Sequence, residues 1–170
     1  MHRVTQRAAL AAVVALTLSG AALAQEAAVP SGEKPVDPYV QSNANAHATP
    51  MPDKATFEAF KGREGLARIA ADTVDRSMAD PRIKDIFATT DVPRLKRTLT
   101  EQFCYVLGGG CDYTGRDMAT AHKDMGVTNK DFNALVENLQ WAMEKEGVPF
   151  FVQNKLLAKL APMQRVTVGQ

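Results

Sequence analysis

The sequence has little of several things, and each shortage excludes a class of protein. Its formal net charge is only +1, so no excess of cations exists to neutralise a phosphate backbone and no nucleic-acid partner is expected. Cysteine occurs twice, at 104 and 111, without the CxxC spacing of a zinc site. No stretch alternates apolar and polar residues as a half-buried strand does, and no internal repeat is present. Histidine occurs three times, as His2, His47 and His122. Only the last falls in the part of the chain expected to fold, so any imidazole chemistry there belongs to His122.

What is present begins with an export signal. His2, Arg3 and Arg7 precede the apolar run Ala8 to Leu18, and Ala22-Leu23-Ala24 supplies small residues before Gln25, which predicts a cleaved signal peptide over 1–24. The apolar core is shorter than the ~20 residues a membrane span needs. An exported protein without stable membrane insertion is expected, periplasmic if the source is a Gram-negative bacterium. Residues 25–55 carry Pro30, Pro35, Pro38, Pro50 and Pro52 and few large apolar side chains. Such a composition predicts a disordered linker, with His47 solvated within it. One domain is expected over 56–170.

Periodicity and punctuation make that domain all-α. Thr56 to Gly62 reads as a short helix stopped by glycine, and Glu64 to Met78 as an amphipathic helix ended by Asp80-Pro81. Proline at 81 suits the first turn of a short helix reaching Phe87. Asp91 is placed to cap a helix opened by Pro93, with Leu95, Leu99, Phe103 and Val106 on one stripe. Thr128 with Asp131 is a variant capping box that starts a helix running to Gly147. Pro149 opens a last helix in which Phe150, Leu156, Leu157 and Leu160 are core candidates.

The stretch from Cys104 to Thr128 is the most informative. It runs Leu107-Gly108-Gly109, Tyr113-x-Gly115, Met118, Ala121-His122, then Gly126-Val127-Thr128, with Phe87 upstream. In order and spacing this resembles the group I truncated haemoglobins. By spacing alone, a histidine after alanine reads equally as a surface residue, and a Leu, Met and Phe stripe as ordinary core. The resemblance implies a two-over-two helical sandwich, haem b bound without a covalent link, and His122 as the iron ligand. The CxxCH motif of covalent attachment is absent. It further implies that Phe87 packs on the porphyrin, that Met118 and Met125 line the wall beside His122, and that Leu95, Leu99 and Phe103 form the facing wall. Arg94, Lys96 and Arg97 are the expected partners of the haem propionates.

Departures from the family pattern lie opposite the histidine. Where relatives commonly carry a Phe-Tyr pair whose hydroxyl bonds the gas, this chain has Thr73-Val74, and Leu95 and Leu99 stand where glutamine is frequent. Thr73, Thr98 and Gln102 are the nearest polar substitutes. Lys61 replaces the first glycine of an early pair. The resemblance implies reversible binding of O2, NO or CO. Nitric oxide dioxygenation or peroxidase-like haem chemistry, a haem redox or sensor module with a reductase or other redox partner, and a globin that folds without haem are the alternatives. In an exported protein Cys104 and Cys111 are expected to form a disulfide, two free buried thiols being the other possibility.

Overall fold

The computed structural model describes residues 29–170; the expected signal peptide and positions 25–28 of the expected linker lie outside the described residues. Helix α1 (Ala55–Ala59) is little more than one turn, and the chain reverses where Lys61 and Gly62 both take φ near +60°. For lysine that conformation costs on the order of 1 kcal/mol. Its ammonium stands 3.1 Å from the Glu146 carboxylate. Helix α2 (Gly62–Ala79) buries Leu66, Ile69, Ala70, Thr73, Val74 and Ser77, steps of three and four that mark one face.

Pro81 lies in a turn rather than in a helix, and a 3-10 turn over Lys84–Phe87 follows. Asp91 caps helix α3 (Val92–Val106), accepting from the Arg94 amide at 3.3 Å. Helix α4 (Met118–His122) is a single turn and α5 (Asn129–Lys145) opens on the complete Thr128/Asp131 capping box. Helix α6 (Phe150–Leu160) and the short α7 (Gln164–Thr167) close the chain. Among the described residues every regular element is helical. Helix α2 packs against both α3 and α5, and α6 against α5 and α3, which is the two-over-two sandwich. Its core joins Leu66, Ile69, Phe103, Leu139, Met143 and Leu156.

Two expected placements change. Phe150 is 70% exposed, and Val152 and Leu156 carry the inward face of α6 instead. Phe103 belongs to the central core and does not line the site-facing cavity. Helical geometry gives the reason. From Leu95, position 102 falls about 20° short of two full turns, whereas 103 falls about 80° beyond them. Gln102 therefore continues the Leu95 and Leu99 row, and Phe103 turns toward the core.

The proline-rich segment also differs from a free linker where it is described. Residues 29–54 form one 3-10 turn, Asn43–Ala46, and otherwise run irregularly along the domain. Buried Ala46 and the bonds from Tyr39 to the Thr114 carbonyl (2.7 Å) and from Asn43 to Asp112 (3.0 Å) hold them there. Polar side chains gripping main-chain groups replace the apolar burial that the composition cannot supply.

Cys104 and Cys111 are joined, with Cα atoms 5.7 Å apart. A side chain at Gly109 would meet Cys104 Sγ at 2.7 Å and the Phe57 ring at 2.5 Å, so only glycine lets the loop pass. Closing this short loop contributes roughly 2 to 3 kcal/mol in the chain-entropy model. The paired substitution Cys104→Ser with Cys111→Ser is expected to lower stability by about that amount, read as the midpoint of denaturant unfolding. An unchanged midpoint would show the bridge to be energetically idle.

Candidate functional site

A cavity of about 250 Å3 opens between α3, α4 and α5, with Val74 of α2 and Phe87 of the 3-10 turn completing its lining. The structure brings Phe87, Leu95, Leu99, Met118, His122 and Met125 together around it. Leu95 and Leu99 come from α3; Met118 and His122 come from α4, across the space. Met125 lies at its rim, 36% exposed.

The short α4 is made by its cap. Asp117 accepts from the Thr120 amide at 3.0 Å, and hydrogen bonding from Thr120 holds its carboxyl below the usual carboxylate range. One turn later His122 is half-buried, its Nδ1 2.8 Å from the Met118 carbonyl oxygen. A carbonyl only accepts, so in the neutral ring Nδ1 carries the proton and Nε2 keeps its lone pair. The ring is thus held in the tautomer that donates electrons through Nε2, the arrangement that second-shell bonds give to metal-binding histidines. Among the described residues no group of three or more His, Cys, Asp and Glu side chains converges to hold a bare metal ion. One imidazole facing apolar walls suits a metal that arrives with its own equatorial ligands.

The wall opposite His122 has few hydrogen-bond donors to spare. Val74 lines the cavity, while Thr73 beside it is buried and donates to the Ile69 carbonyl at 2.7 Å. Thr98 lines the cavity but donates to the Arg94 carbonyl at 3.0 Å. Of the three polar substitutes, Gln102 remains. It is buried, and its amide nitrogen lies 3.3 Å from the Ala46 carbonyl and 3.5 Å from Met163 Sδ. Tyr113, unassigned from sequence as a cavity residue, is buried with its hydroxyl on the Arg116 carbonyl at 3.0 Å; burial pushes its ionisation up, so it stays a donor.

The expected propionate partners do not share one fate. Lys96 pairs with Asp75 at 2.6 Å, and Arg97 is taken by Glu33, Glu101 and Thr114. Arg94 bonds the Lys34 carbonyl at 2.6 Å and lies 3.3 Å from Glu33, yet it lines a side chamber of the cavity together with Arg116. Arg116 had no periodic signal to single it out; it belongs to a loop.

Comparison with known proteins agrees with this fold. The family model for bacterial-like globins matches residues 55–168. A group 1 truncated haemoglobin of Tetrahymena pyriformis is 30% identical over 114 residues, covering 67% of this chain and 94% of the relative. Another, from Mycolicibacterium paratuberculosis, is 30% identical over 107 residues, 63% of this chain and 79% of that one. The crystal structure of the Tetrahymena pyriformis truncated haemoglobin in its Fe(III) form superposes with a TM-score of 0.65 at 27% identity, covering 68% of this chain and 98% of that one. With one imidazole lining an apolar cavity inside a two-over-two sandwich, the chain belongs to the bacterial-like globin family, among the group 1 truncated haemoglobins.

Proposed function

We propose that this chain is an exported haem protein that binds a diatomic gas reversibly, with His122 as the iron ligand. One observation carries the reading: the His122 ring has its Nδ1 committed to the Met118 carbonyl at 2.8 Å while the ring lines an apolar cavity. Bound haem supplies an iron whose open position takes O2, NO or CO. The residues present fit that group. His122 Nε2 would supply a nitrogen to the iron, Phe87, Leu95, Leu99 and Met118 would exclude water from a flat apolar ring, and Arg94 and Arg116 border the adjoining chamber. The sequence has no CxxCH, so attachment through a cysteine pair of the c type is not part of this reading, and haem b is the form proposed.

Val74, Leu95 and Leu99 offer no donor to stabilise charge developing on a gas, which favours binding and release over oxygen-activating chemistry. Localisation in an oxidising compartment, the periplasm of a Gram-negative source, follows from the N-terminal signal pattern and is supported by the joined cysteines. The test is an absorption spectrum of the mature protein in ferric, ferrous and ferrous carbon monoxide states. A Soret band that shifts on reduction and again with carbon monoxide is expected. A colourless protein that takes up no hemin overturns the proposal.

A further inference from the structure

The matched family region begins at residue 55, so the segment 29–54 lies outside it. Part of it lines a space beside the cavity. A side chamber of about 210 Å3 is lined by Val36 and Tyr39 from this segment, Arg94 from α3 and Arg116 from the loop before α4. Leu95, Thr98 and Tyr113 line both spaces, so the chamber adjoins the cavity. We infer that residues 36–39 form a wall of the haem site and hold Arg116 as a clamp for one porphyrin carboxylate, an inference that rests on the haem reading above.

The charges around the chamber single out Arg116. Arg97 is paired with Glu33 and Glu101, and Arg94 with Glu33 and Asp91. Arg116 has no carboxylate partner among the described residues. It donates instead to the Asp37 carbonyl at 3.0 Å, and its guanidinium carbon lies 4.9 Å from the centre of the Tyr39 ring. Tyr39 is fixed in turn by its hydroxyl, which donates to the Thr114 carbonyl at 2.7 Å. A carbonyl and a ring face orient the cation without neutralising it, and its remaining N–H groups stay available to an anion.

Asp91 also lines the chamber. Its carboxylate accepts from the Lys34 amide at 2.6 Å and from the Arg94 amide at 3.3 Å, and those bonds hold its ionisation below the usual range. With Arg94 Nε 3.5 Å away as well, the Asp91 carboxylate has its partners on residues 34 and 94, and it makes no ion pair with Arg116. A flat macrocycle with an apolar body and acidic edge matches an apolar cavity beside a chamber in which Arg116 has no carboxylate partner among the described residues. Tyr39 acts as a positioning residue; Arg116 is the group that meets the ligand.

The test measures release of ferric haem to an excess of scavenging apoglobin. Arg116→Gln is expected to speed release about tenfold, and Tyr39→Ala by a similar factor. Tyr39→Phe keeps the ring under the guanidinium and is expected to stay within about threefold. Because Tyr39 works through Arg116, the double variant is expected to release haem no faster than Arg116→Gln alone; a fully additive loss would overturn the clamp. Haem dimethyl ester, which has no free carboxylate, is expected to leave wild type and Arg116→Gln at equal rates, and a persisting difference overturns carboxylate recognition. Metal-free protoporphyrin, followed by fluorescence, separates this inference from iron ligation. Its affinity is expected to fall with Arg116→Gln and to ignore His122→Ala. Binding that ignores Arg116 overturns the clamp while leaving ligation intact, and Arg116-dependent binding in a protein that rejects hemin supports the clamp while ligation fails.

Discussion

His122→Gly is expected to remove the Soret band of the haem-loaded protein, and added imidazole is expected to restore it by entering the space the side chain leaves. The size of the effect follows from what else is nearby. Among the described residues the other histidine is His47, which is exposed at the end of the Asn43–Ala46 turn and does not line the cavity. No second nitrogen is positioned to take over. Losing an outer-shell partner of a metal ligand typically costs about 10 to 100-fold in affinity, so losing the ligand itself should cost more than that. Haem titration followed by absorbance measures the change. A variant with the ferrous spectrum of wild type would remove His122 from the role and return it to an ordinary helix-end residue.

Val74→Tyr is expected to slow oxygen release from the haem-loaded protein about tenfold or more. Val74 is 1% exposed on α2 and lines the cavity, so a hydroxyl there reaches a space that holds almost no free donor. A hydrogen bond to a partly charged acceptor is worth on the order of 1 to 3 kcal/mol, which sets the tenfold scale. The larger ring has the cavity to occupy, which limits the overpacking that a tyrosine would cause in the central core. Stopped-flow measurement of oxygen dissociation is the check. If wild type already retains oxygen as slowly as Val74→Tyr, then Gln102 or Tyr113 is supplying the missing donor.

The fold was legible because its signals are local. Asp91 and Thr128 cap the helices their positions announce, the 108–110 glycines end α3, and the spacing of apolar residues marks α2 and α5. The expectation that Phe87, Leu95, Leu99, Met118, His122 and Met125 share one site rests on residues from Phe87 to Thr128 taken at their spacing, and the structure lines one cavity with them. Phe103 was misplaced because a stripe written in steps of four drifts around the helix by about 40° at each step. Phe150 was misplaced because apolar character at a helix start says nothing about which side faces a neighbour. Lys61 shows the opposite case, a lysine holding a left-handed backbone with its ammonium beside Glu146.

Sequence by itself determined that this chain is helical, that its two cysteines are close enough along the chain to pair, and that a single imidazole stands where chemistry is possible. Those properties depend on residues within about two helical turns of one another. Only the tertiary structure decided that Gln102 rather than Phe103 faces the cavity, that Lys96 and Arg97 are already paired, and that Tyr39 stacks beneath Arg116 from 77 positions away along the chain. Charge pairing and wall formation depend on which surfaces meet, and that is set by packing between elements distant in sequence.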